Sequence, residues 1–128
     1  MTEPVWLQKV VIFALHDRLL AEFGGGAGIR EMERLEAALG RPMQCFHYGV
    51  TDMHALAASY ATAIVQGHPF IDGNKRTGFV CAVVFLELNG WTFTATEQDA
   101  VVQTLALASS EVGEEQYADW LRQNSSRI

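Results

Sequence analysis

The sequence is poor in the residues that cross-link or stiffen small proteins. It has two cysteines, Cys45 and Cys81, and three prolines in 128 residues. Two isolated thiols are too few for a zinc knuckle and predict no disulfide, so we expect free thiols in a reducing compartment. One hydrophobic core is enough, because a chain of this length buries roughly two thirds of its unfolded surface without covalent staples.

Positive charge is also scarce. The chain has 9 lysines and arginines against 15 aspartates and glutamates, which gives a net charge of −6. Because affinity for nucleic acids rests mainly on neutralised phosphates, this balance argues against direct nucleic-acid binding. An acidic chain with one local Lys-Arg pair is better suited to hold a single phosphate chain.

Long apolar runs are absent as well. No stretch approaches the ~18 to 20 uninterrupted apolar residues of a membrane span. The start of the chain, Met1-Thr2-Glu3-Pro4, lacks the basic segment of a signal peptide. We therefore expect a cytoplasmic protein with no membrane contact. The length predicts a single domain, 1–128, and we find no internal repeat.

Apolar periodicity predicts an all-α fold of about six helices. The expected helices lie approximately at Val5–Phe23, Glu31–Leu39, Asp52–Gly67, Asn74–Asn89, Glu97–Ser109 and Glu114–Gln123. The fourth is apolar nearly all round, which is typical of a helix buried at the centre of a bundle.

Several local features accompany these helices. Gly40-Arg41-Pro42 is expected to stop the second helix, and Met43–Val50 to form a loop or short flap. Trp91–Ala95 alternates like a short extended segment, whereas Asn124–Ile128 should fray. His16 is interpreted as a partly exposed surface residue. The predicted inner face of the fifth helix comprises Val101, Val102, Leu105 and Ala108.

Reactive side chains gather in one stretch, His68-Pro69-Phe70-Ile71-Asp72-Gly73-Asn74-Lys75-Arg76-Thr77-Gly78, directly before the apolar central helix. If that helix starts near Asn74, the backbone N–H groups of about Gly73 to Arg76 are unpaired, and the helix dipole adds positive potential. The backbone alone therefore predicts an anion site, and Gly73 lets a phosphate approach closely.

The side chains of this stretch extend the same chemistry. Asn74 can donate an amide N–H, and Lys75 and Arg76 add two positive charges. Asp72 can hold a Mg²⁺ ion that bridges phosphate oxygens. His68 can take a proton from a hydroxyl group at neutral pH.

A structural interpretation explains parts of the stretch but not the whole. Gly-Asn-Lys alone is an ordinary turn, and a lone histidine before proline is usually structural. Neither accounts for His, Asp, Asn, Lys and Arg together at the start of a buried helix. The residues thus favour a phosphate-related site, and the absence of G-x-x-x-x-G-K-[ST] excludes an ordinary P-loop.

The stretch from His68 to Arg76 resembles the signature of the Fic/Doc family, His-x-Phe-x-Asp/Glu-Gly/Ala-Asn-Gly/Lys-Arg. Within the family, the chain is most similar to the death-on-curing (Doc) branch. The resemblance extends over most of the chain. Its further elements are Leu15-His16-Asp17, Gly28-Ile29-Arg30, Arg41-Pro42 and Phe85-Leu86-Glu87-Leu88-Asn89-Gly90. It implies a compact all-α bundle.

The resemblance also implies roles for the matching positions. His68 would be the general base for a target hydroxyl, Phe70 a structural anchor in the core, and Asp72 the Mg²⁺ ligand. The implied catalytic residues are His68, Asp72, Asn74 and Arg76. The implied nucleotide-phosphate contacts are Gly73, Asn74, Lys75 and Arg76, with Gly73 and Asn74 forming the anion hole.

Two positions depart from the AMP-transferring members of the family. Lys75 replaces their usual glycine, and Phe79 stands where they have a second arginine. Both departures point to the Doc branch, in which ATP would present its γ-phosphate to the anion hole. The implied activity is Mg²⁺-dependent phosphorylation of a protein hydroxyl, with elongation factor Tu as target and translation arrest as the result.

Two alternatives remain open. The chain could be an AMP transferase of the Fic type, or a non-catalytic module that binds an antitoxin. The intact set of His68, Asp72, Asn74 and Arg76 argues against the second. A self-inhibitory helix is not predicted, since Ser110–Glu114 is followed by Glu115 instead of glycine or asparagine. The resemblance therefore implies a separate antitoxin whose disordered segment folds into a groove on this chain.

Overall fold

The computed structural model describes residues 2–128. They form six α-helices and a two-stranded sheet. In chain order these elements are α1 Lys9–Phe23, α2 Met32–His47, α3 Met53–Gly67, α4 Asn74–Leu88, β1 Trp91–Phe93, α5 Glu97–Ala108, α6 Glu114–Gln123 and β2 Ser125–Arg127. The predicted all-α bundle of about six helices is confirmed, and none of the helices in this range has the length and hydropathy that crossing a bilayer requires.

The pair α3 and α4 forms the centre of the bundle. Ala57, Ala58 and Ala61 of α3 are fully buried, which allows the two helices to approach closely. The helices lie close together at Gly78 of α4, where an added Cβ would lie 2.6 Å from Cγ2 of Val65. The crossing fixes the position of the N-terminus of α4, where the sequence predicts the anion site.

The first helix begins later than predicted. Val5 lies in extended chain, where its N–H donates to Oδ1 of Asn89 over 2.8 Å and its carbonyl accepts from Nδ2 over 3.0 Å. This amide ties the N-terminal segment to the end of α4. Pairing with a distant side chain replaces the first helical turn, and α1 starts at Lys9.

The predicted stop of the second helix is wrong. α2 continues through Gly40-Arg41-Pro42 and includes Met43–His47, which we expected to be a loop or flap. Proline removes one helical hydrogen bond. Pro42 is buried together with Leu35 and Ala38, and this apolar burial offsets the loss.

Two further expectations at the C-terminal end are also wrong. The predicted inner face of α5 is mostly exposed at Val101, Val102 and Leu105, and the buried residues are instead Ala100, Thr104 and Leu107. Thr104 tolerates burial because its hydroxyl bonds the Tyr117 hydroxyl over 2.9 Å.

The chain end does not fray. Ser125–Arg127 pairs antiparallel with Trp91–Phe93, which confirms the predicted extended segment there. The Arg127 guanidinium lies 4.9 Å from the centre of the Trp91 ring, and the Ile128 N–H donates to the Gly90 carbonyl over 2.9 Å. These contacts secure residues that the sequence alone presents as a polar tail.

Candidate active site

His68 lies at the end of α3, where the helix turns into the motif. Its backbone is left-handed, with φ of 50° and ψ of 54°, and its N–H donates to the Ile64 carbonyl over 3.1 Å. Nη1 of Arg34 donates to the neighbouring Gly67 carbonyl over 2.9 Å. The backbone is thereby fixed, while the imidazole is exposed to solvent and accessible to a second molecule.

The residues after His68 pair with the segment that follows the glycine-rich loop, Gly24–Gly28. Arg30 and Glu31 both donate their backbone N–H groups to the Pro69 carbonyl, over 2.8 and 3.0 Å. The Ile71 N–H donates to the Gly28 carbonyl over 3.1 Å, which completes a short antiparallel bridge. The segment that pairs with the motif is therefore Gly28–Glu31.

Phe70 and Asn74 lock the motif onto α4. Phe70 is 1% exposed, in agreement with an anchor in the core. Its N–H donates to Oδ1 of Asn74 over 3.0 Å, and its carbonyl accepts from Nδ2 of Asn74 over 3.0 Å. The Asn74 amide, expected to donate to phosphate, is thus occupied by the motif backbone, and what it can offer an anion is its backbone N–H.

Gly73 is the N-cap of α4 and adopts φ of 78° and ψ of 17°, a left-handed conformation that favours glycine. Its N–H donates to no atom of residues 2–128. The first backbone N–H groups of α4 have no intrahelical acceptor, and the helix dipole is positive at this end. The backbone donors at this end of α4 are therefore free, as an anion site would require.

Asp72 is held by the glycine-rich loop. Its Oδ2 accepts the Gly26 N–H over 3.0 Å. A Cβ on Gly25 would lie 3.3 Å from the Cβ of Asp72, and Gly25 also has φ of 123°, so the loop approaches this closely only because it is glycine. The carboxylate is exposed to solvent, and Oδ1 bonds no protein atom in the described range.

The surroundings of Asp72 fit a divalent cation that is shared with phosphates. No group of three or more His, Cys, Asp or Glu side chains in residues 2–128 could form a complete metal cage. Mg²⁺ is commonly bound through one or two carboxylates together with substrate phosphates. A single exposed carboxylate beside the N-terminus of α4 fits that pattern, and Asp72 is the residue that would serve as the protein ligand.

The two cations of the motif are both exposed at the start of α4. The Arg76 guanidinium lies 4.4 Å from the centre of the Phe23 ring, at the end of α1. Neither Lys75 nor Arg76 forms an ion pair with the described carboxylates. Both charges are therefore available to an anion that binds at the helix N-terminus.

His16 differs in its burial from the sequence prediction. It is 3% exposed, not partly exposed, and its ring stacks on Phe70 with centres 3.8 Å apart and planes inclined by 11°. Its Nε2 lies 2.8 Å from the Asp72 carbonyl oxygen. The one signal in the sequence was the resemblance at Leu15-His16-Asp17, because periodicity treats histidine as a surface residue.

Phe79 has a packing role in this structure. It lies half-buried, with ring centres 5.8 Å from Phe93 and 6.2 Å from Trp120. It therefore joins α4 to β1 and α6 and brings no charge to the motif.

A cleft of about 320 Å³ opens between α1 and the segment Gly28–Ile29. Its lining combines aromatic and aliphatic side chains with one carboxylate, and consists of Phe13, His16, Asp17, Gly28, Ile29 and Phe70. The stacked pair of His16 and Phe70 forms part of this lining.

Comparisons with known proteins agree with this geometry. The family model described as "Fic/DOC family" matches residues 6–86, which include α1, α2, α3, the motif and most of α4. "Protein kinase doc" of Escherichia phage P1 is 35% identical over 112 residues, covering 87% of this chain and 88% of that protein. "Toxin Doc" of Mycolicibacterium smegmatis is 39% identical over 71 residues, covering 53% of this chain and 54% of that protein. With the motif folded around a helix N-terminus and the match spanning most of both chains, this protein belongs to the Fic/DOC family.

Proposed function

We propose that this chain is a Doc-like toxin that uses ATP to phosphorylate a protein hydroxyl. The observation that carries the proposal is the match to "Protein kinase doc", which extends over 88% of that protein. The proposal is supported by an exposed histidine, by backbone N–H groups without acceptors at the N-terminus of α4, and by two cations without ion pairs, all on one short motif. This combination suits phosphoryl transfer, which depends on positioning and on charge stabilisation more than on covalent chemistry.

In the proposed reaction, the target hydroxyl attacks the γ-phosphorus of ATP in line with the leaving oxygen. A bond forms between the hydroxyl oxygen and phosphorus, and the bond between phosphorus and the oxygen that bridges to the β-phosphate breaks. The electron pair leaves with ADP. His68 accepts the hydroxyl proton as the new bond forms.

The N-terminus of α4 stabilises the charge on the transferred group. The backbone N–H groups of Gly73 and Asn74 donate to the equatorial oxygens, where negative charge builds up. Lys75 and Arg76 hold the remaining phosphates electrostatically. Mg²⁺ held by Asp72 would neutralise part of the phosphate charge.

The choice between phosphate and AMP transfer rests on Lys75 and Phe79. Lys75 fills the space that glycine leaves in AMP-transferring relatives, and Phe79 is packed against Phe93 and Trp120 in place of a second phosphate-binding arginine. Both residues favour a nucleotide with its γ-phosphate at the anion site. Fic-type AMP transfer is the second candidate, because the anion site itself would accept an α-phosphate equally well.

We further propose elongation factor Tu as the target and a separate antitoxin as the partner. The target follows from the resemblance to the Doc branch, and the partner from the name of the relative "Toxin Doc". In this account the toxin arrests translation until an antitoxin segment folds onto it.

The proposal is tested by mass spectrometry of bacterial lysate after expression of the protein. We expect elongation factor Tu to gain the mass of one phosphate on a serine or threonine, and to remain unmodified when His68→Asn is expressed. A gain of AMP would establish the second candidate. A phosphate on another protein would refute only the target, and no modification with growth arrest intact would refute the enzyme.

A further inference from the structure

His16 is linked to the start of α4 by a hydrogen bond to the backbone. Its Nε2 lies 2.8 Å from the Asp72 carbonyl oxygen. A carbonyl oxygen only accepts hydrogen bonds, so Nε2 carries the proton and donates it. The contact joins α1 to the residue directly before the N-cap of α4.

The bonded carbonyl belongs to the peptide group that also contains the Gly73 N–H. A trans peptide group is planar, and its C=O and N–H point in opposite directions. Fixing the Asp72 carbonyl on His16 therefore directs the Gly73 N–H away from His16. That N–H bonds no atom of residues 2–128 and lies at the N-terminus of α4.

The imidazole itself has little freedom. It is 3% exposed and stacks on Phe70 at 3.8 Å. A Cβ added at Gly73 would lie 3.6 Å from its Nε2, an ordinary van der Waals distance, so the ring lies beside the backbone of Gly73. Phe70 is in turn fixed to Asn74 by two hydrogen bonds. The ring is a rigid donor and not a mobile side chain.

A second effect acts in the same direction. A peptide group whose carbonyl accepts a hydrogen bond is polarised, and its N–H becomes a stronger donor. The bond from His16 therefore both aims the Gly73 N–H and strengthens it toward an anion.

We propose that His16 is a positioning residue that fixes the direction of the Gly73 N–H in the anion site. The effect on the binding of an anion depends only on this geometry, and the effect on turnover rests on the proposed function. His16 contacts neither the nucleotide nor the target in this account. It acts entirely through the Asp72–Gly73 peptide group.

Three variants separate the hydrogen bond from the packing. His16→Phe keeps an aromatic ring on Phe70 and removes the donor. His16→Gln places an amide N–H near the position of Nε2 and restores the donor without the ring. His54→Phe is the matched control, since His54 is also a buried histidine but lies at the start of α3.

The first measurement follows backbone amide signals by ¹H–¹⁵N NMR during titration with inorganic phosphate. In the wild type and in His54→Phe, we expect phosphate to shift the Gly73 amide signal. In His16→Phe we expect that shift to fall several-fold, and in His16→Gln to be retained. An equal Gly73 response in His16→Phe would overturn the proposal. The absence of any Gly73 response in the wild type would overturn the anion site itself, and with it the proposed function.

The second measurement is turnover with ATP and elongation factor Tu. We expect His16→Phe to lower kcat about tenfold, less than the ~100-fold that follows the loss of an entire anion-hole donor. KM for ATP should change little, and His16→Gln should recover most of kcat. Equal loss in His16→Phe and His16→Gln, in proportion to lost thermal stability, would mean a merely structural role.

A wild-type measurement keeps the proposal testable if His16→Phe does not fold. Long-range ¹H–¹⁵N correlation of the imidazole reports which nitrogen carries a proton. The proposal requires a protonated Nε2 on His16, and an unprotonated Nε2 would contradict it.

Discussion

At the scale of single residues, the motif contains two kinds of side chain: buried ones that fix its backbone, and exposed ones that are accessible to a second molecule. Phe70 and Asn74 are buried and bond each other through the backbone of Phe70. His68, Lys75 and Arg76 are exposed, and their side chains form no hydrogen bond or ion pair with the described residues, although the Arg76 guanidinium lies over the Phe23 ring. The buried Asn74 amide is hydrogen-bonded, as buried polar groups usually are, whereas the buried Thr77 hydroxyl has no partner within residues 2–128.

Replacement of His68 tests its assignment as the general base. We expect His68→Asn to lower the rate of phosphoryl transfer about 100-fold or more, as is typical when proton transfer is lost. Asparagine tolerates the left-handed backbone at this position, whereas alanine would add strain. Thermal unfolding and ATP binding by calorimetry serve as controls and should match the wild type. Unchanged transfer would remove His68 from the mechanism.

Phe23 is expected to orient Arg76 for phosphate binding. The guanidinium lies 4.4 Å from the ring centre, and such contacts at exposed sites are worth about 0.5–1 kcal/mol. Phe23→Leu should therefore raise KM for ATP roughly two- to fivefold, and Phe23→Tyr should leave it unchanged. Steady-state kinetics check this, and an equal KM in both variants would show that the ring does not position Arg76.

At the scale of elements, the crossing of α3 and α4 sets the position of the site. Both helices contribute small residues where they meet, including Ala61 and Gly78. The motif is the connection between these two helices, so their separation determines where His68 and the N-terminus of α4 lie relative to each other. A change in the crossing would move His68 relative to the N-terminus of α4.

Gly78→Ala tests how tightly this crossing is packed. The added Cβ would lie 2.6 Å from Cγ2 of Val65 and 3.1 Å from the Ala61 carbonyl oxygen. Overpacking of this kind costs about 1–3 kcal/mol, which urea unfolding can measure.

The matched control for this variant is Gly40→Ala in α2. No heavy atom lies within 4 Å of a Cβ at that position. This substitution should stabilise the protein by about 0.4–1 kcal/mol, because alanine favours the helix. Similar effects from both substitutions would contradict the close crossing.

The elements differ in how far the sequence determines them. α4 and its N-terminus were predictable, since a long apolar run that follows a glycine strongly favours a buried helix. The course of α2 past Pro42 was not, because burial against a neighbouring helix outweighed one lost hydrogen bond. The environment of His16 was hidden for a similar reason, as its partner Asp72 lies 56 positions later in the chain. Local patterns therefore located the motif but not the α1 residue that bonds its backbone.

At the scale of the whole molecule, a buried histidine makes stability depend on pH. Burial lowers the pKa of His54 below its ordinary 6.5, and the bond to Asp52 opposes this only in part. The nearby Arg122 also disfavours the charged ring. The pKa of Asp52 lies below its ordinary 3.8, because its hydrogen bond from Arg122 and other contacts outweigh the effect of its burial.

These pKa shifts make the stability of the fold depend on pH in two different pH ranges. The unfolded chain binds a proton on His54 more readily than the folded one, so this contribution to stability is complete above about 6.5 and decreases as pH falls below it. The Asp52 contribution is present above 3.8 and decreases only at lower pH, as the folded group takes up its proton.

The midpoints of urea unfolding at pH 7.5 and pH 5.5 test the contribution of His54. We expect the wild-type midpoint to fall between these two values of pH, and the fall to be smaller in His54→Phe, which cannot titrate at that position. His47→Asn, at an exposed histidine, should behave like the wild type. An equal fall in wild type and His54→Phe would assign the pH dependence to other groups.

The central claim is that the protein transfers the γ-phosphate of ATP to a protein hydroxyl. Incubation of the purified protein and elongation factor Tu with ATP labelled at either the α- or the γ-phosphate tests it directly. The account predicts label on the target from γ-labelled ATP and none from α-labelled ATP, with His68→Asn inactive in both. Transfer of the α-label would instead identify an AMP transferase and contradict the roles given to Lys75 and Phe79.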